Sequence, residues 1–139
     1  MSPSVNHSYT QSMLNAALVI TLKQYSVFTE LSIEIEGKEY VPDICVYSKR
    51  KINPFHDIIK MKELPLLAIE ILSPTQIIQE LIDKIEIYLI AGVQSCWLVI
   101  PATCAVTIYY ELEQPINYSN HVIDEKLNVS IPLEDIFPF

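Results

Sequence analysis

Two carboxylates stand inside the most apolar segments of this 139-residue chain: Asp43 in "VPDICVY" (41–47) and Glu70 in "LPLLAIEILSP" (64–74). Val, Ile and Tyr fit a pleated, half-buried surface, whereas Asp is depleted from strands. Period-two geometry puts Asp43 on one face with Val41 and Cys45, and Glu70 on one face with Ala68 and Leu72. If the two strands pair, one register sets the acids opposite each other with Cβ atoms about 5 Å apart. At an effective dielectric near 20 the two charges then repel by about 3 kcal/mol. A divalent cation removes that repulsion, and Mg²⁺ typically takes one or two carboxylates plus waters and substrate phosphates. A protonated or ion-paired acid, or two acids at strand ends in water, meets the same pattern without a metal.

The elements that must position these groups follow from periodicity. Residues 9–24 carry Met13, Leu14, Ala17, Leu18 and Leu22 at helical spacing, with Ser8 or Thr10 as cap. Residues 26–47 hold two strands around a turn at Gly37–Lys38; in the first, Val27, Leu31, Ile33 and Ile35 face one way. A polar connection over 48–64, with Pro54 and room for a helical turn, leads to a third strand at 65–72. A helix spans 73–92, with Ser73 or Thr75 at its start and Gly92 at its stop. Strands at 94–100 and 104–112 follow, then a tail with one strand at 127–131. This order predicts a single α/β domain over 1–139 with a mixed β-sheet flanked by helices.

In the second helix Ile77, Ile78, Leu81, Ile82, Ile85, Tyr88 and Leu89 fall in one arc that must lie on the sheet. Asp83 and Glu86 project away. Lys84 sits beside the edge of the arc, where its ammonium either reaches Glu70 or pairs with Glu80 one turn back. Ile87 and Ile90, off the arc, mark a subunit contact and a homodimer with two sites.

Nine basic against seventeen acidic residues give net charge −8, an awkward sign for a nucleic-acid partner. The local run Lys49, Arg50, Lys51 is either a contact for such a partner or a solvated loop. No apolar segment is long enough to cross a bilayer, and the polar start "MSPSVNHSYTQS" lacks the pattern of a secretory signal. Cys45, Cys96 and Cys104 read as small buried hydrophobes in a reducing cytoplasm.

"VPD" at 41–43, "EILSP" at 70–74, "ELIDKIEIYLIAGV" at 80–93 and the tryptophan strand "CWLVIP" together resemble the Uma-two type of small endonucleases, in the restriction-endonuclease-like PD-(D/E)XK superfamily. The resemblance runs from about Val27 to Tyr110. It implies a restriction-endonuclease-like core and a metal-dependent DNA endonuclease. By position, Asp43 becomes the acid of the PD pair, Glu70 the second acid, and Lys84 the lysine supplied from the next helix. Leu72 stands where the superfamily usually has that lysine. Asp43, Glu70 and the Ile71 carbonyl would ligate Mg²⁺, with Mn²⁺ as a substitute, and Lys84 would position water or neutralise developing charge. Glu80 stands where the family usually has Asp, Ser95 and Ile100 where acids are frequent, and the Asp43–Glu70 loop is short.

Around this set, Tyr88 reads as packing on the lysine stem or shielding the site. Glu30 reads as a solvated strand residue or a further acid near the metal. His7, His56 and His121 read as surface residues, with His7 alone near the edge of a site. Trp97, Tyr109 and Tyr110 read as core or interface. The competing function class is a catalytically inactive nuclease-fold module for interaction or regulation, which the acidic balance suits; a hydrolase of small phosphodiesters is a third.

Overall fold

A computed structural model describes residues 4–139; residues 1–3, the first of the polar start, lie outside the described residues. Helix α1 (Val5–Thr21) begins earlier than its periodicity predicts, because Ser4 rather than Ser8 or Thr10 is the cap and accepts the His7 backbone N–H at 3.1 Å. Its inward face is His7, Thr10, Leu14 and Leu18, at the i, i+3, i+7 and i+11 positions of one stripe.

The segment predicted as two strands forms four: β1 (Tyr25–Thr29), β2 (Ile33–Ile35), β3 (Lys38–Tyr40) and β4 (Ile44–Ser48). The break falls at Glu30, whose φ of 51° lies in the left-handed region and turns the chain out of β1. The alternation from Val27 to Ile35 is therefore not one strand. β2 and β3 make a separate hairpin, with Glu36 and Gly37 at positive φ in its turn. Asp43 lies immediately before β4 rather than within it.

The 48–64 connection contains turns and no helix; Met61 bridges to Ile33. β5 (Leu67–Ile71) is buried at every position, as expected of a central strand. Helix α2 (Ile78–Ala91) starts later than predicted, with Ile77 as N-cap and neither Ser73 nor Thr75 in that role; Gly92 ends it at φ 117°. β6 (Ser95–Ile100) and β7 (Ala105–Tyr109) follow, joined through the 3₁₀ turn Pro101–Thr103. The tail, predicted to hold one strand, forms β8 (Ile116–Tyr118), β9 (His121–Asp124), β10 (Val129–Pro132) and the one-turn helix α3 (Leu133–Ile136).

The central sheet has the order β1-β4-β5-β6-β7-β8 and is mixed: β5 and β6 are parallel through the α2 crossover, and the other pairs are antiparallel. Each face carries a core. On one, Ile44, Val46, Ile69, Trp97, Val99 and Ile108 pack with α1 and the tail. On the other, Ala68, Cys96 and Leu98 pack with Leu81, Ile85 and Tyr88 of α2 and with Ile33 of the hairpin. Ile77 and Ile78, expected on the sheet, are exposed because the helix begins beyond the edge of that core. Cys45 and Cys96 are buried, whereas Cys104, at φ 49° after the 3₁₀ turn, is exposed. No described helix is long and apolar enough to cross a membrane.

Candidate active site

The β4–β5 register pairs Ile44 with Ile69 and Cys45 with Ala68. Extended by one residue, it sets Asp43 opposite Glu70. Glu70 alternates with Ile69 and Ile71, which belong to the α1 core, so its side chain faces α2. It is 4% exposed. A carboxylate there requires partners, and α2 supplies two. The Tyr88 hydroxyl donates to Oε2 at 2.7 Å, and Lys84 Nζ lies 3.9 Å from Oε1. Lys84 and Tyr88 are four residues apart, hence stacked on one side of α2. Tyr88 thus does more than pack on the lysine stem or shield the site: it fixes a Glu70 oxygen. Lys84 forms no ion pair with Glu80 among the described residues; its acidic neighbour is Glu70.

Asp43 is held from two other directions. Its Oδ2 accepts the Ile71 backbone N–H at 2.7 Å and lies 3.2 Å from His7 Nε2. Ile71 is the last residue of β5, so a main-chain group of one acid-bearing strand fixes the acid of the other. His7, expected at the surface, is buried on the inward stripe of α1, and its Nδ1 has no hydrogen-bond partner among the described residues. The periodicity of 7, 10, 14 and 18 carried that signal. His56 and His121 are exposed.

Asp43, Glu70 and Lys84 line one cleft of about 140 Å³ together with His7, Glu30, Val41, Ser73 and Gln76. Glu30 reaches it because the turn after β1 brings its backbone N–H onto the Asp43 carbonyl at 3.1 Å. Gln76 accepts the Ser73 N–H through Oε1 at 3.0 Å, closing the loop that precedes α2 over the cleft. A larger hollow of about 620 Å³ lies between the carboxyl end of α2 and the β7–β8 connection, lined by Glu111, Glu125 and Lys126 among others. It contains none of the buried acids, and fixed, desolvated groups rather than volume make a reactive site. The smaller cleft is the candidate.

Its electrostatics are those of two acids kept close. Burial, then the neighbouring Asp43 charge, pushes the Glu70 carboxyl up to about 7, against the opposing pull of Lys84, Tyr88 and His7. The hydrogen bond to Asp43 raises the His7 imidazole above its ordinary value, against burial. Burial, reinforced by Glu70, drives the Tyr88 phenol upward, so it acts as a donor. Among the described residues no group of three or more His, Cys, Asp or Glu is arranged to hold a metal ion. The donor set is the two carboxylates of Asp43 and Glu70, set opposite each other across β4 and β5. That is an all-oxygen set, and it fits a hard cation that keeps several of its waters.

Trp97 is core: its indole N–H donates to Asp124 at 2.8 Å, and Ser95 Oγ and two backbone N–H groups also bond Asp124. Tyr109 is buried, and the Tyr110 hydroxyl accepts the Glu125 backbone N–H.

Comparison with known proteins bears on the fold and the family. A crystal structure described as a putative nuclease belonging to DUF820, from Anabaena variabilis, superposes with a TM-score of 0.86 at 23% identity, over 99% of this chain and 83% of that one. At that identity the likeness establishes the fold, an α/β nuclease-type fold with a mixed sheet. No curated protein matches the chain. The family model Uma2, "Putative restriction endonuclease", matches residues 1–138, nearly the whole chain, and the chain belongs to that family.

Proposed function

We propose that this protein is a metal-dependent DNA endonuclease of one nuclease-like domain, hydrolysing phosphodiester bonds in the cleft of Asp43, Glu70 and Lys84. The observation that carries this reading is that three side chains from separate elements, the approach to β4, the end of β5 and the middle of α2, line the same small cleft. Asp43, Glu70 and the Ile71 carbonyl would hold Mg²⁺, for which Mn²⁺ substitutes. Such an ion, when bound, lowers the pKa of a coordinated water and offsets negative charge on the phosphoryl group.

The chain's own residues supply the rest. Tyr88 fixes one oxygen of Glu70, and Ile71 N–H with His7 fixes Asp43, so both acids meet the cleft in set orientations. Lys84, less buried than Glu70, extends its ammonium to the cleft wall, where it orients water or binds a nonbridging phosphate oxygen. Ile90, 81% exposed on α2, supports a homodimer that would bring two clefts to the two strands of a duplex. Unpaired Cys45, Cys96 and Cys104 suit a cytoplasmic setting.

A second reading rests on a specific observation. Asp43 already accepts from Ile71 and neighbours His7, so the acids could be structural members of a non-catalytic module in an acidic chain. Plasmid nicking separates the two. Wild type with Mn²⁺ or Mg²⁺ nicks; Asp43→Ala and Glu70→Ala lose both nicking and the calorimetric heat of metal binding. Lys84→Ala keeps the metal and loses at least about a hundredfold in rate. Metal binding without nicking of any DNA favours the module.

A further inference from the structure

Five of the nine Lys and Arg residues fall within residues 49–62, against one of the seventeen acids, Asp57. This is the connection between β4 and β5, at the ends of those strands opposite Asp43 and Glu70. It is tied at both ends. The Arg50 N–H donates to Ser26 Oγ at 3.1 Å, and Met61 exchanges backbone hydrogen bonds of 2.9 Å with Ser32 and Glu34. Arg50 itself is engaged within the fold, in an ion pair with Glu63 at 2.7 Å and over the Tyr47 ring. Lys49, Lys51, Lys60 and Lys62 are exposed and form no ion pair among the described residues.

Between the ties every residue from 51 to 60 is exposed, and that stretch includes Ile52, Phe55, Ile58 and Ile59. Phe55 is 87% and Ile59 85% exposed, next to a turn in which Asn53 accepts the Phe55 and His56 N–H groups. A solvated loop has no use for four large apolar side chains within ten residues; their clustering on a surface marks an interaction site. Free ammonium groups interleaved with apolar side chains are the combination that neutralises phosphates and wedges against base steps. In a chain of net charge −8, this is also the segment a polyanion can approach.

We propose that residues 49–62 form a DNA-docking loop, with Lys49, Lys51, Lys60 and Lys62 on phosphates and Phe55 and Ile59 seated in a groove. The inference rests on the nuclease reading for its choice of partner. Five-residue β4 separates the loop from the Asp43 end by roughly 16 Å. That is about five steps of a duplex at 3.4 Å each, a separation within the length of one short duplex.

The test is fluorescence anisotropy of a labelled duplex of about 20 base pairs, titrated in EDTA over a salt series. Replacing the four lysines by alanine should weaken binding at least tenfold at low salt and flatten the slope of log Kd on log salt by about 3.6, at 0.9 per phosphate. Phe55→Ser should weaken binding several-fold with the slope unchanged. All these side chains are exposed, and thermal melts matching wild type verify the fold. Unchanged affinity and slope in the lysine variant overturn the inference. So does wild type that binds vesicles of phosphatidylglycerol and phosphatidylcholine but not the duplex. Loop-dependent binding by a protein that nicks no plasmid leaves the docking loop standing and removes the nuclease reading. Nicking that survives the loop substitutions at unchanged Kd does the reverse.

Discussion

Replacing Glu70 by Gln tests the tension between the two acids directly. The Glu70 carboxyl ionises near 7 in the folded protein against 4.5 for an ordinary glutamate. An acid whose folded pKa is raised binds more protons folded than unfolded across that interval, so stability is full below about 4.5 and declines as pH rises through 7. At 1.36 kcal/mol per unit, the loss by pH 8 is about 3 kcal/mol. Gln keeps the volume and an oxygen for the Tyr88 hydroxyl without the charge. Glu70→Gln should therefore equal wild type near pH 4.5 and exceed it by up to about 3 kcal/mol at pH 8 in EDTA, roughly 10 °C in melting temperature for this chain length. His7, whose pKa is raised first by its hydrogen bond to Asp43 and only last by the Glu70 charge, tilts stability in nearly the same way in both proteins. Glu70 is the better probe than Asp43→Asn, because Asp43 is supported by Ile71 and His7 while Glu70 is the buried member. Urea unfolding at the two pH values, with and without millimolar Mn²⁺, reads the result; the ion should stabilise wild type and not the variant. A Gln protein less stable than wild type at pH 8, or a difference independent of pH, would refute the account.

Three further outcomes follow from named contacts. Tyr88→Phe leaves a buried carboxylate oxygen without its donor and should lower metal-free stability by about 1–3 kcal/mol in urea; no change would mean that water replaces the hydroxyl. Asp124→Ala removes the acceptor shared by Trp97, Ser95 and the turn at Lys126–Leu127. It should cost at least about 3 kcal/mol, from several buried donors at about 1–3 kcal/mol each, with altered fluorescence of the sole tryptophan, and a cost under about 1 kcal/mol would contradict that role. Ile90→Glu should yield a folded monomer by light scattering where wild type is a dimer; a monomeric wild type removes the dimer reading.

Apolar runs punctuated by Pro and Gly made β4, β5, β6 and α2 readable in the sequence, because local spacing and caps depend on neighbouring residues alone. The same local rules placed Asp43 and Glu70 beside or within strands and Lys84 near the sheet-facing arc of α2. They misplaced whatever depends on chain reversal or distant partners. A left-handed Glu30 split one expected strand into β1 and β2, and the tail, expected to hold one strand, folded into three, with buried Asp124 accepting the backbone N–H groups of the turn that follows β9. His7 was legible only as part of a helical stripe. Its contact with Asp43 joins residues thirty-six positions apart, and α1 had to be docked before the two could meet. Register, too, belonged to the folded state: a shift of one residue between β4 and β5 would carry one acid to the opposite face. What the sequence by itself determined is the kind of groups available and the elements that bear them. Which of them share a cleft, and at what pKa, was decided by packing, since desolvation and cross-strand distance exist only once the sheet and its helices have closed.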